Sequence, residues 1–243
     1  MIDSMNDTLG IMQPYFFPYL GYFQLIASVE RGVIFDTAQY CRKSWMNRNR
    51  ILDSKGGWQY ISVPTSTTMG TSIQATTVID HDAALRRILG QLDHYRGKAP
   101  FHRLVCDLVI KAFEAVKGDS ISELNTQSLV VTCNYLGLEF DWTPHSALNL
   151  KLPAIEHPGQ WALEISTSLH ARRYINAPGG RGIFIASEWQ QRGIELRFLD
   201  LTTYIYNTAP YPFVENLSIL DVLMWNKPGD VTRYINENTR LAC

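Results

Sequence analysis

Short apolar strands alternate with helical patterns at both ends of this chain, and that alternation restricts its fold more than any other feature. Thr8 to Met12 reads as a strand, and Gln13 to Pro18 is a loop fixed at both ends by proline. From Tyr19 the apolar residues Leu20, Phe23, Ile26 and Ala27 follow helical spacing, with the helix ending near Gly32. Val33 to Phe35 is a second strand with Asp36 at its C-terminal edge. In the last third, strands at Glu139 to Trp142, Arg172 to Asn176 and Ile194 to Leu199 alternate with helices at Trp161 to Leu169 and Gly182 to Gln191. Strands joined through helices by short connections predict an α/β fold, a Rossmann-like, mostly parallel sheet covered on both faces.

The middle of the chain departs from this pattern. Trp58 to Val63 and Ser72 to Ile79 are strand-like around a Ser/Thr/Gly-rich turn, so a β-hairpin insertion is expected at about 40–80. A helical segment at about 81–136 follows, with helices at His81 to Tyr95, Pro100 to Val116 and Ser120 to Tyr135. Pro100 suits a first helical turn, Ser120 with Glu123 forms a capping box, and Gly137 closes the third helix. With neither an internal repeat nor a Pro/Gly/Ser-rich linker, residues 1–243 are expected to form a single α/β domain carrying these insertions.

Hydrophobic residues make up 46% and charged residues 19%, enough apolar side chain for a full core. With 22 Lys+Arg against 23 Asp+Glu, the chain lacks the basic footprint of a general nucleic-acid binder. Cys41, Cys106, Cys133 and Cys243 form no C-x-x-C pair, which excludes a zinc knuckle and a disulfide framework and suits a reducing compartment. The first ten residues contain Asp3 and Asp7 and no apolar h-region, and no run is long enough to insert in a membrane. The expected location is cytoplasmic.

Three segments carry more polar and aromatic side chains than packing demands. The first is Gln13-Pro-Tyr-Phe-Phe-Pro-Tyr-Leu-Gly-Tyr22, at the carboxyl end of a strand, where open α/β sheets bind ligands. Gln13, Tyr15, Tyr19 and Tyr22 are candidate substrate contacts, and Gly21 would let a ligand approach the backbone; the alternative is a hydrophobic lid. The second runs from Asp36 to Arg50 and offers Gln39, Tyr40, Trp45, Asn47, Arg48, Asn49 and Arg50. In an extended chain Arg48 and Arg50 share one face, where two guanidinium forks can clamp an anion, while Asn47 and Asn49 share the other. The alternative is an edge strand guarded by charge. Asp36 is a candidate base, and Cys41, beside Arg42 and Lys43, a candidate nucleophile. The third segment, Tyr174 to Gly182, puts Gly179 and Gly180 in a strand-to-helix turn suited to a phosphate, though without Walker A or G-x-G-x-x-G spacing. His94 is either an acid/base residue or a packed helix end, and His102 with Cys106, two groups on one helix face, makes no metal site.

Taken together the chain resembles the WbqC-like protein family. The resemblance rests on Gln13-Pro-Tyr-Phe-Phe-Pro18 with Gly21-Tyr22, on Phe35-Asp36 with Gln39-Tyr40, and on Trp45-Met-Asn-Arg-Asn-Arg-Ile51. It continues through Tyr95-Arg-Gly-Lys-Ala-Pro100, Tyr174 with Gly179-Gly180, and Phe213 with Leu217-Ser-Ile-Leu-Asp221. It implies a role in surface polysaccharide (O-antigen) biosynthesis, transferring an amino acid such as glycine, or another acyl group, to an amino sugar. Cys41 stands where the family more often has Thr or another small polar residue, and Asn176-Ala-Pro178 replaces a small-residue run. The opening strand, Pro-aromatic loop and Gly-Tyr at a helix start also resemble the nucleotidylyltransferase and class I synthetase core. Tyr19-Leu-Gly-Tyr22 stands there in place of H-x-G-H, which argues against adenylyl transfer by that route.

The expected activity is therefore acyl or aminoacyl transfer to an amino sugar or related small amine, in surface polysaccharide biosynthesis. The acceptor would be a small molecule such as a nucleotide-linked amino sugar, and the donor a nucleotide-activated group or an acyl-carrier thioester, with an acyl carrier protein as a partner. Asp36 or His94 would take the amine proton, and N–H groups near Gly21 would face the oxyanion. The alternatives are ATP-dependent activation of a carboxylate and a binding or scaffolding module without catalysis. The enzyme readings require the aromatic loop and the Asn/Arg segment to meet at one cavity, whereas a loop without a polar cavity beneath it would favour the scaffolding module.

Overall fold

Every residue of Thr8–Met12 (β1) is buried, as a strand covered on both faces requires. The computed structural model describes residues 7–242, so Asp3 and Cys243 lie outside the described residues. The chain continues through Leu20–Ala27 (α1), Arg31–Ile34 (β2), Arg48–Leu52 (β3), Trp58–Ser62 (β4), Thr65–Ser66 (β5) and Thr77–Val78 (β6). The helical segment comprises His81–Leu92 (α2), a 3-10 turn at Asp93–Tyr95, His102–Glu114 (α3) and Ile121–Leu136 (α4). Next come Trp142–Pro144 (β7), His145–Leu148 (α5), Gln160–Ser168 (α6), Arg173–Asn176 (β8), a 3-10 turn at Pro178–Ile183, Ala186–Gln191 (α7) and Glu195–Leu201 (β9). Ile219–Trp225 (α8), Pro228–Asn238 (α9) and Thr239–Ala242 (β10) complete it.

The central sheet has the order β10-β9-β8-β1-β2-β7. All its pairings are parallel except that of β9 with the edge strand β10. From β1 the chain builds outward through β2 to β7, then returns to the other side of β1 to lay down β8 and β9. The order therefore reverses between β1 and β8, and the crevice beyond their carboxyl ends is where such sheets bind ligands. Strand alternation divides the core: Leu9, Ile11 and Val33 pack with α6 and α7 residues, including Leu163, Ile165 and Trp189. Met12 and Ile34 face a larger cluster built from α1, α8, α9, the hairpin and the helical segment.

The α/β class and the mostly parallel sheet agree with the sequence reading. Several local expectations change: the strand expected at Glu139 to Trp142 lies at Trp142–Pro144, the helix expected at Gly182 to Gln191 is split into a 3-10 turn and α7, and α1 ends at Ala27 instead of near Gly32. The antiparallel hairpin joins β3 to β4, Arg48 facing Ser62 and Leu52 facing Trp58, across a turn at residues 53–57. The expected partner of Trp58 to Val63, Ser72 to Ile79, instead contributes β6 to a short ladder with β5. The capping box also divides. Ser120 Oγ accepts from Ser122 N (3.2 Å), but the Glu123 carboxylate accepts from the backbone of Lys117 (2.8 Å) and Gly118 (3.2 Å), fastening the preceding turn. No helix of the described residues is long and apolar enough to cross a membrane.

Gly10 and Gly32 face each other across β1 and β2, and the indole of Trp142 lies over both. A Cβ on Gly32 would fall 2.1 Å from the Trp142 ring, an overlap that neither the sheet nor the indole can relieve cheaply. Gly32→Ala is expected to destabilise the fold by about 3 kcal/mol. In Gly90→Ala, where a Cβ meets nothing within 4 Å on helix α2, stability should rise by about 0.5–1 kcal/mol. Urea unfolding of both variants checks the pair; equal midpoints would refute the packing argument.

Candidate functional site

The residues between β1 and α1 sort by burial. Phe16 and Phe17 are fully buried, whereas Tyr15 and Tyr19 are only partly covered. Phe17 has a φ of 39°, a left-handed conformation that bulky side chains rarely adopt. Fixed partners hold this backbone. Asn49 Nδ2 donates to Phe16 O (3.0 Å) and Phe17 O (2.9 Å), and Ser218 Oγ donates to Phe17 O (2.7 Å). Phe17 N donates to Ser128 Oγ (3.3 Å), and Asn125 Nδ2 donates to Pro14 O (2.8 Å) and Met46 O (2.7 Å). Backbone bonds from Phe16 N to Trp45 O and from Ile219 N to Pro18 O complete the set.

Two clefts open beyond the carboxyl ends of the strands. The first, about 620 Å³, lies between α1, the Pro178–Ile183 turn and the segment after β9. Tyr19, Trp45, Tyr204, Tyr206 and Phe213 give it aromatic walls, and Arg50 is its cationic residue. The Arg50 guanidinium lies 5.3 Å from the Trp45 ring and 5.2 Å from the Trp58 ring, and its Nη2 donates to Asn216 O (3.2 Å). Its Nε is buried with no hydrogen-bond partner among the described residues. The second cleft, about 700 Å³, opens directly at the β1/β8 reversal and is lined by Gln13, Tyr174, Asn176, Trp161, Glu156 and His157 among others. Tyr15, Tyr22, Ala177 and Gly180 line both clefts and form the wall between them.

That wall is held neutral. The Tyr15 and Tyr22 rings lie 5.2 Å apart, and Tyr15 Oη donates to Gln13 Oε1 (3.1 Å). Burial pushes the Tyr15, Tyr19 and Tyr22 hydroxyls above the ordinary phenol value. Tyr174 is pushed up too, also by burial, and stacks on Trp189 at 4.9 Å. Behind the first cleft, Tyr206 Oη donates to Asp221 Oδ2 (2.7 Å) and Tyr95 Oη to Asp221 Oδ1 (2.5 Å). Burial raises the Asp221 carboxyl, and these two hydroxyl donors oppose the rise.

The aromatic loop and the Asn/Arg strand do meet. Gln13, Tyr15, Tyr19, Gly21, Tyr22, Trp45, Asn49, Arg50, Tyr174, Gly179 and Gly180 all line one cleft or both. Gly21 serves packing, since a Cβ there would fall 2.4 Å from the Tyr19 ring, so the ring and not a ligand occupies that approach. The other candidates line neither cleft. Both oxygens of buried Asp36 accept from Ser146, at N (3.0 Å) and Oγ (2.6 Å), so this carboxylate secures the start of α5. Exposed Cys41 donates its N–H to Met46 Sδ, exposed Gln39 bridges to Ser72, and Tyr40 Oη bonds Thr65 Oγ1. Asn47 Nδ2 donates to Val63 O, and Arg48 lies over the Tyr60 ring at 3.9 Å. His94 packs against Tyr95 at 4.1 Å, with Nδ1 bonded to Gln91 O (2.7 Å). Sequence reading did not single out Tyr204, Tyr206, Asn216, Glu156 or His157, which come from segments without a recognisable pattern. Among the described residues no group of three His, Cys, Asp or Glu is placed to hold a metal ion.

Fold and geometry together define an α/β protein with two clefts at the reversal point of a mostly parallel sheet. The chain belongs to the WbqC-like protein family, whose profile matches residues 13–233. It is similar to "Uncharacterized protein Rv1507c" of Mycobacterium tuberculosis (strain ATCC 25618 / H37Rv), 26% identical over 230 residues covering 93% of this chain and 96% of that protein. No solved structure matches.

Two predictions concern stability. Asn49→Ala removes the side-chain donor to Phe16 O in a buried site and should cost about 2–3 kcal/mol in urea unfolding; an unchanged midpoint would mean that the loop is held otherwise. His94 is pushed below the ordinary imidazole value, mainly by burial. The folded state therefore resists its protonation, and stability present at neutral pH is lost as pH falls from the ordinary value through the depressed one. His94→Asn should flatten the loss of stability between about pH 7.5 and 5, read as denaturation midpoints at each pH; parallel curves for both proteins would refute the assignment.

Proposed function

We propose that this protein is a two-substrate transferase that moves an acyl or aminoacyl group, such as glycyl, onto the amine of a nucleotide-linked amino sugar in surface polysaccharide biosynthesis. The supporting observation is the pair of clefts that share the Tyr15–Tyr22 wall at the β1/β8 reversal. A reaction that joins two ligands needs two sites whose contents can meet, and one enclosed pocket would not favour this reading over simple binding. The first cleft takes the nucleotide-linked sugar: its aromatic faces suit stacking on a base and a hexose, and Arg50 supplies charge-assisted bonds to the diphosphate. The second takes the smaller acyl donor, a thioester or similarly activated carboxyl group. The acceptor nitrogen attacks the donor carbonyl carbon, the new C–N bond forms as the C–S bond breaks, and the amine proton leaves through a base to the departing thiolate.

Arg50 is the residue to test, with Arg48 as its neighbour on the same strand face. Arg50→Ala should weaken binding of UDP-glucosamine or dTDP-4-amino-4,6-dideoxyglucose about 10- to 100-fold in calorimetric titration, since a charge-assisted bond contributes about 1.5–3 kcal/mol. Arg48→Ala should leave it within about twofold, as expected of a rim charge. Incubation with glycyl or acetyl thioesters should yield the amide by mass spectrometry. Equal affinity in Arg50→Ala would overturn the phosphate assignment. Pyrophosphate release from ATP and glycine, with no thioester consumed, would replace acyl transfer by carboxylate activation.

A further inference from the structure

Acyl transfer to an amine needs a group that takes a proton near neutral pH, and the cleft walls narrow the choice. The tyrosines between the clefts are held neutral by burial, and Arg50 is a permanent cation. Asp36, Cys41 and His94 line neither cleft. The lining residues that remain able to accept a proton are Glu156 and His157, both in the second cleft. Glu156 is exposed, with no side-chain bond among the described residues, whereas His157 is half-buried and held. Its Nε2 lies 3.0 Å from Glu188 Oε2 and 3.2 Å from Glu188 Oε1. Glu188 belongs to α7, and its neighbour Trp189 is buried against Tyr174 and Phe184, which line the same cleft.

We infer that His157 is the proton-transfer residue of the second cleft and that Glu188 is its positioning residue. The inference rests on the transferase reading above and names the base it needs. A carboxylate at Nε2 fixes the hydrogen there and leaves the lone pair on Nδ1, which has no bond within the described residues. Nδ1 takes the proton from the attacking amine as the C–N bond forms. It then returns that proton to the thiolate released when the C–S bond breaks, so the ring ends the cycle neutral and no other reactant is consumed. Glu188 stabilises the imidazolium formed between the two steps, as a carboxylate does behind a catalytic histidine.

The test pairs a kinetic readout with a chemical one. With glycyl thioester and dTDP-4-amino-4,6-dideoxyglucose, His157→Ala should lower kcat by about 10²–10⁴ with KM near the wild-type value. Added imidazole should restore part of that loss, which it could not do for a residue that only braces a loop. Glu188→Gln should lower kcat less than His157→Ala does. Diethyl pyrocarbonate labelling, read by peptide mass spectrometry, should modify His157 faster than exposed His170, an advantage that Glu188→Gln removes. A His157→Ala enzyme that keeps its kcat, or loses activity without imidazole rescue, overturns the inference, as does a Glu156→Gln enzyme that alone is inactive. If the wild-type protein turns over no thioester, the transferase reading fails, and the labelling then decides for His157. Labelling no faster than His170, or indifferent to Glu188, refutes its activated state.

Discussion

A buried stretch of irregular backbone is tolerated only where its polar groups find partners, and the Pro14–Pro18 loop is such a stretch. Its carbonyls and N–H groups are taken by Asn49, Asn125, Ser128 and Ser218, drawn from β3, α4 and the residue capping α8. A buried amide or carbonyl left unpaired costs about 1–3 kcal/mol, so this set holds the loop in one shape and draws three distant parts of the chain onto it. The loop in turn decides which rings point where. Phe16 and Phe17 fill the core, and Tyr15 and Tyr19 are left at the cleft surfaces. The insertion is thus part of the site, because it supplies both the strand that fastens the loop and the arginine beside it.

The Asn47-Arg-Asn-Arg50 run shows how one strand serves two purposes. Period-two alternation within β3 places Asn49 on the face toward the loop and Arg48 and Arg50 on the other, whereas Asn47, in the turn before the strand, donates to Val63 O. Asn49 uses its amide donors entirely on Phe16 and Phe17, so its presence at the cleft is structural in origin. The arginines diverge because their neighbours differ. Tyr60 takes the guanidinium of Arg48, whereas Trp45 and Trp58 flank that of Arg50, whose Nε has no hydrogen bond among the described residues. A clamp of two forks therefore reduces to one fork and an aromatic bracket.

The fold class was legible because apolar runs of strand length alternated with helical periods, a signal that survives errors of several residues at the boundaries. The hairpin register was not. The segment Ser72 to Ile79 has strand composition, but the tight turn at 53–57 brings β3 beside β4 first, and local closure outweighs composition. The lining of the clefts was legible where it lies on the loop after β1 and on β3, since strand ends and alternating polar residues carry a positional meaning. Tyr204, Tyr206 and His157 were not legible, because they join the site only through the sheet order, which places β8 and β9 beside β1. Asp36 misled for a physical reason: a carboxylate at a strand end suits catalysis, yet here both its oxygens are occupied by Ser146.

The reversal of strand order also explains why there are two clefts and not one. Connections leaving β1 and β8 diverge to opposite sides, α1 to the face of the larger core and the Pro178–Ile183 turn toward α7. Between them stand Tyr15, from the loop after β1, and Tyr22, from α1, which line both clefts. Burial raises those hydroxyls and Tyr15 donates to Gln13, so the partition is uncharged and lines both clefts with ring faces. In the proposed transfer, a neutral partition keeps two ligands apart without repelling an anion on one side or a carbonyl on the other. Among the lining residues, Arg50 carries the charge of the first cleft, and Glu156 lies in the second beside His157, which pairs with Glu188 of α7; in the proposed transfer the two ligands meet across the tyrosines.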